Sequence, residues 1–184
     1  MKNNGKYIVG LIILILVLVF GAGIIIVNRS STARRIQVVY IPKARDDAND
    51  FWTSLLKGAQ MAANEYDVDL TILAPDSEQD FEAQVRYIDE AIAMNPNAII
   101  LSPSSKSEIT EAANRIVVAG IRLVLIDSEL DQNLQSIVVE TDNVAAGRKR
   151  GEFILTHLPE NPVIGVVSHV KSSSTAQERY QGLC

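Results

Sequence analysis

From residue 36 onward, short apolar runs alternate with longer stretches whose apolar residues recur every three to four positions. Residues 36–41 are a largely β-branched run ending at Pro42, and Phe51, Leu55, Leu56, Ala59, Ala62, Ala63 and Tyr66 then follow at helical spacing. Residues 70–73 read as a second strand stopped by Pro75. Phe81, Val85, Ile88 and Ile92 mark a second helix, broken by Asn95-Pro96-Asn97. Residues 98–101 read as a third strand. Ser105 and Glu108 stand at capping-box spacing before Ile109, Ala112, Ala113 and Ile116, and Gly120 follows as a left-handed helix end. Residues 123–126 and 137–139 read as further strands, 144–158 as a helix and 163–167 as one more strand. Strands separated by helices of crossover length predict parallel pairing, and near-continuous apolar strands predict helices over both sheet faces. The expected fold is a doubly wound α/β domain with a parallel sheet.

The first 35 residues are of another kind. They hold Lys2, Lys6, Arg29, Arg34 and Arg35 with no acidic residue, a charge of +5. The rest carries −10, so the formal net charge of −5 averages two unlike parts. A domain this acidic repels phosphate backbones, which disfavours nucleic-acid binding. Residues 8–27 are uncharged and mostly Ile, Leu and Val. As a helix rising about 1.5 Å per residue, the run matches the roughly 30 Å hydrocarbon core of a bilayer. It has no polar stripe such as a buried core helix would show. The expectation for residues 1–35 is a signal anchor, with a transmembrane span at 8–27 and a short tether. The alternative is a cleaved secretory signal processed near Ser31-Thr32-Ala33. Two lysines and the amino terminus on one side balance three arginines on the other, so charge leaves the orientation open. The single cysteine, Cys184, cannot form an intrachain disulfide or a cysteine metal site.

In doubly wound sheets, ligands bind beyond the carboxyl ends of the strands. Lys43, Arg45 and Asp46 follow the first strand, and Asn49, Asp50, Phe51 and Trp52 open the next helix. Ser102, Ser104 and Ser105 follow the third strand; Asp127, Ser128 and Glu129 follow the fourth. Two aromatics at a helix mouth beside a carboxylate suit a polyhydroxylated ligand. The rings can stack on the C–H faces of a sugar, while carboxylate and amide groups pair with its hydroxyls. The competing reading makes Phe51 the first core residue of its helix, Trp52 a surface aromatic and Asp127 a turn cap.

Other chemistries lack their residues. The chain has no Gly-rich phosphate loop after its first strand and no G-x-S-x-G elbow. His157 and His169 have no partner at metal spacing, and Arg148-Lys149-Arg150 reads as a solvated helix face. Asp46-Asp47 is similar to the acidic pair of phosphoacceptor domains, but the third strand ends in Leu101-Ser102-Pro103 rather than in an aspartate. The expectation is a binding protein rather than an enzyme, with no cofactor and no metal.

Several stretches carry a resemblance through their order and spacing. They are Asn49-Asp50-Phe51-Trp52 with Gly58-Ala59, residues 98–103, Ala119-Gly120-Ile121 ahead of Asp127, Thr141-Asp142-Asn143, and residues 174–182. Together they resemble the type I periplasmic sugar-binding proteins, the ribose- and allose-binding receptors of ABC transporters. The resemblance implies two lobes closing on one sugar, with residues 36–142 as the first lobe and 143–184 as a truncated beginning of the second. It implies that Asn49, Phe51 and Trp52 are first-lobe contacts, the aromatics stacking on the sugar. Asp127 would accept from sugar hydroxyls, and Lys43 would lie beside the ligand, at a longer spacing from Asn49 than in the family. Gln177 stands where the ribose-type pattern has an arginine, which argues against ribose itself; Arg179 is expected to be structural. The implied partners are a small-molecule sugar and an ABC permease; the anchor supports the alternative of a membrane-tethered sugar-sensing domain signalling to a histidine kinase or another membrane partner. Because the match covers about half of such a receptor, the chain is expected to be a fragment or truncated reading frame.

Overall fold

The computed structural model describes residues 35–45, 49–159, 163–168 and 170–184. The apolar run at 8–27, the Asp46-Asp47 pair and His169 lie outside them. Among the described residues, no helix is long and apolar enough to cross a membrane.

Five strands form one parallel sheet: β1 (Gln37–Ile41), β2 (Asp69–Ile72), β3 (Ala98–Leu101), β4 (Arg122–Ile126) and β5 (Ile137–Val139), in the order β2-β1-β3-β4-β5. Helix α1 (Asp50–Glu65) connects β1 to β2, α2 (Phe81–Ala93) connects β2 to β3, and α3 (Thr110–Val118) connects β3 to β4. Then follow α4 (Asn143–His157) and α5 (Ser174–Leu183). This is a doubly wound order, and its direction of winding reverses between β1 and β3. Val38 pairs with Leu70 on one side and Ala98 on the other.

The period of two along each strand fixes the core. Val39 and Ile41, Ile99 and Leu101, and Leu123 and Leu125 share one face and meet Ile88 and Ala91 of α2 with Ala112, Ala113 and Ile116 of α3. None of these is more than 2% exposed. On the alternate positions Tyr40 is buried, but Ile100, Val124 and Ile126 are only half-buried. The expected cover on both faces also fails at β5, where Ile137 and Val139 are 57% and 58% exposed. That strand is one edge of the sheet, and among the described strands it pairs with β4 alone.

Helix ends follow short-range chemistry. Asp80 caps α2 by accepting from the Ala83 N–H at 2.8 Å, and Asp142 caps α4 through the Ala145 N–H at 2.8 Å. Gly120 has φ +76°. Its N–H donates to the Val117 carbonyl, while the Ile121 N–H reaches back to Ile116, a Schellman end as its glycine implied. The Ser105–Glu108 spacing does not open a helix. The Ser105 hydroxyl accepts from the Glu108 N–H at 3.4 Å in a preceding turn, and α3 starts at Thr110 without a side-chain cap.

The expected strand at 163–167 is corrected. These residues join no ladder, and Val163 and Val167 are fully exposed. An apolar β-branched run becomes a strand only when a neighbour takes up its backbone groups, and no described strand lies beside it. Helices α4 and α5 pack directly on each other. Gly147 faces the backbone of Arg179, and Gly182 faces that of Val144.

Candidate ligand-binding cleft

The carboxyl ends of β1 and β3 are held by one buried side chain. Gln84, 0% exposed on α2, donates through Nε2 to the carbonyls of Pro42 (3.1 Å) and Ser102 (2.9 Å), and its Oε1 accepts from the Ser104 N–H (2.9 Å). Satisfied on both ends of its amide, it fixes the two strand ends between which the winding reverses. Below them the Tyr40 hydroxyl lies 3.2 Å from the Ser102 hydroxyl. Burial pushes the Tyr40 phenol up to about 12, against the pull of its Ser102 hydrogen bond and helped by the Asp127 charge. It is a neutral group throughout the physiological range.

Lys43 leaves the end of β1 and is 2% exposed. Its Nζ lies 2.7 Å from Asp127 Oδ2, donates to Ser173 Oγ at 3.2 Å and stands 6.0 Å from the centroid of the Trp52 ring. Asp127, just past β4, has φ +72°, an uncommon conformation for a residue with a Cβ. The Ser128 hydroxyl donates to the same carboxylate at 3.1 Å. A buried ammonium needs both a counter-charge and hydrogen-bond acceptors, and Lys43 has both.

The segment before α5 is clipped onto these strand ends. The Lys106 N–H donates to the Ser172 carbonyl (2.9 Å), Lys43 to the Ser173 hydroxyl, and the Glu129 N–H to the Ser174 hydroxyl (2.8 Å). Ser173 and Ser174 are fully buried, and the hydroxyls of Ser173 and Thr175 are 2.7 Å apart.

A cleft of about 700 Å³ opens here, lined by Lys43, Asn49, Phe51, Trp52, Asp127, residues 76–79, Thr175 and Arg179. Five of the six candidate residues thus meet: Lys43, Asn49, Phe51, Trp52 and Asp127. Asn49 also caps α1, its Oδ1 accepting from the Phe51 N–H at 3.0 Å. The burial of the two rings departs from the competing reading of the sequence. Trp52 is 2% exposed and donates through Nε1 to Glu78 Oε1 at 2.6 Å, so it is no surface aromatic. Phe51 is 52% exposed and is not a core residue. The two rings meet edge to face with centroids 4.9 Å apart.

Gln177 is the exception. It is exposed, donates to the Lys171 carbonyl at 3.2 Å and lines a separate recess with Tyr180. Thr175 and Arg179, four residues apart, share the helix face that meets the cleft, and a residue midway between them points elsewhere. Arg179 also donates through Nε to Asn143 Oδ1 at 2.9 Å, and Asn143 donates to Glu178 at 3.4 Å, a structural tie between α4 and α5. Ser102 and Ser105 are buried and do not line the cleft.

Sequence reasoning missed residues 76–79, which line the cleft directly after β2; the strand-end rule applied to that strand would have found them. It also missed Gln84 and the Ser173–Thr175 hydroxyls, which no local pattern marks. Directly after β5, desolvation together with the charges of Glu129 and Glu178 raises the Glu140 carboxyl from an ordinary 4.5 up to about 7. The folded chain therefore binds more protons than the unfolded chain between those values, and stability from this group falls as pH rises through that window. Glu140→Gln is expected to raise the melting midpoint at about pH 8 and change it little at about pH 5, read in a thermal melt at each pH.

The strand order and a cleft at the strand ends are those of a doubly wound α/β domain with its site at the reversal of winding. The model of the periplasmic binding protein domain matches residues 38–183, and the chain belongs to that family. It is 28% identical over 144 residues to the D-allose-binding periplasmic protein of Escherichia coli (strain K12), a match covering 73% of this chain and 46% of that protein. It is 26% identical over 134 residues to the ribose import binding protein RbsB of Bacillus subtilis (strain 168), covering 73% and 43%. The crystal structure of a sugar transporter from Clostridium phytofermentans is similar with a TM-score of 0.77 and 42% identity, over 79% of this chain and 54% of that one. An ABC transporter solute binding protein from Agrobacterium vitis with bound D-fucose gives a TM-score of 0.75 and 26% identity, over 80% and 51%. The chain spans about half the length of the relatives it matches.

Proposed function

We propose that this chain supplies one wall, and the beginning of the other, of an extracytoplasmic substrate-binding protein that captures a sugar or related polyol and feeds an ABC transporter. The observation that carries the reading is the meeting of an exposed aromatic ring, Phe51, with the buried Lys43–Asp127 pair in one cleft at the strand ends. In this reading Phe51 stacks on the C–H face of the sugar. Asp127 accepts from hydroxyls, Lys43 donates to one, and Asn49 contacts the ligand at the helix mouth. These are binding contacts with no covalent step. The positive φ of Asp127 fits such a role, because strained residues persist where the surrounding structure holds them for function. Relatives named for D-allose and ribose, and a solved structure holding D-fucose, support the ligand class. Residues 36–142 form the first lobe in this proposal and 143–184 begin the second. Residues 8–27 hold the domain at the membrane as a single span.

The test is a thermal-shift screen of the complete binding protein, with both walls of the cleft present, against pentoses, hexoses and inositols. A ligand that binds only the folded state stabilises it by about 2.7 kcal/mol at a hundred times Kd. At least one sugar or inositol is expected to raise the midpoint in a saturable way. A flat response across all three classes would contradict the proposal.

A further inference from the structure

We infer that Glu78 is a positioning residue of this cleft, holding Trp52 in its buried orientation so that Phe51 is the ring face left for the ligand. The inference deepens the sugar-site reading and rests on it for the ligand, while the state of Trp52 is measurable without one. Trp52 and Phe51 are adjacent in the first turn of α1, yet one is 2% exposed and the other 52%. A buried indole N–H must find an acceptor, and the Glu78 carboxylate takes it at 2.6 Å. Glu78 can do so because its loop is fixed at both ends. The Arg45 N–H donates to the Pro75 carbonyl at 2.7 Å, tying the loop to the end of β1, and the Asp80 N–H closes a turn on the Ser77 carbonyl at 3.1 Å. Lys43 Nζ stands 6.0 Å from the Trp52 ring centroid, within cation–π reach, while pairing with Asp127. Glu78 is thereby connected, through the indole, to the charged pair assigned to the sugar hydroxyls. Without the carboxylate the buried indole N–H is left unpartnered, and the cleft that Trp52 lines is where a turned ring meets water.

Trp52 is the chain's only tryptophan, so its fluorescence reads this position alone. Acrylamide quenching and emission maximum are measured for the wild type, Glu78→Ala and Glu78→Gln, each beside a thermal melt. Glu78→Ala is expected to raise the quenching constant several-fold and shift emission to the red with the melting midpoint held close to wild type. Glu78→Gln keeps an acceptor oxygen and is expected to restore the wild-type signal. Quenching of Glu78→Ala equal to wild type, or rising only in step with a lost melting transition, would overturn the positioning role. A second arm titrates D-allose and D-ribose: weaker binding in Glu78→Ala, restored in Glu78→Gln, supports the role at the ligand. If neither these nor any other sugar binds the wild type, the sugar reading fails, while the quenching comparison still decides whether Glu78 sets the ring.

Discussion

Gly182→Ala is expected to pull α5 away from α4 while leaving the five-stranded sheet folded. A Cβ at this position would overlap the Val144 carbonyl oxygen and lie 2.8 Å from its carbon, and one at Gly147 would overlap the Arg179 carbonyl in the same way. Both obstacles are backbone, so no rotamer change relieves them. Overpacking typically costs about 1–3 kcal/mol, and a clash that a helix must move bodily to escape belongs at or above the top of that range. Hydrogen exchange should show α4 and α5 losing protection while amides in β1, β3 and β4 keep theirs, since local units open separately from a core. Gly58→Ala is the opposing control. A Cβ there meets nothing within 4 Å, and in the interior of α1 alanine is favoured over glycine by about 1 kcal/mol. That variant should gain stability by the same measurement that shows the other losing it.

The second large effect concerns Asp127. Asp127→Ala leaves the 2%-exposed Lys43 ammonium without its counter-charge, and breaking one side of a buried pair costs about 3–5 kcal/mol. Ala also tolerates the φ of +72° less well than Asp does. Simple loss of ligand contact is therefore the wrong expectation for this variant, because the fold weakens as well. Asp127→Asn keeps an acceptor for Lys43 and tolerates the left-handed backbone, so it should retain most of the stability. Combining Lys43→Met with Asp127→Ala removes both charges and should recover much of the loss, which a double-mutant cycle in urea measures.

The sheet was legible because hydrophobic period and punctuation agree in residues 36–126. The β-branched run before Pro42, the break at Asn95-Pro96-Asn97 and the helix end at Gly120 all fall where the structure has them. The strand-end rule brought Lys43, Asn49, Phe51, Trp52 and Asp127 to one cleft. Burial at the cleft was not legible. Phe51 and Trp52 are neighbours on one helix turn, and which of them faces water depends on Glu78, 26 positions beyond Trp52. The run at 163–167 reads as a strand by composition, yet strand formation requires a partner that no local pattern reports. Gln177 was placed by its position in a family pattern, whereas the turn of α5 gives the cleft to Thr175 and Arg179. The polar ties Gln84, Ser173 and Ser174 depend on contacts between distant segments, 45 positions apart in the case of Glu129 and Ser174.

The central claim is that Phe51 and the Lys43–Asp127 pair form a sugar site. The most direct measurement is calorimetric titration of wild type and Phe51→Ala with the sugar or inositol that shifts the melting midpoint most. Phe51 is half-exposed, so its loss should leave the fold intact. The account predicts saturable heat for the wild type and an affinity lower by about ten-fold or more in Phe51→Ala, the factor that about 1.4 kcal/mol of lost ring contact corresponds to. Equal affinities in the two proteins would contradict it.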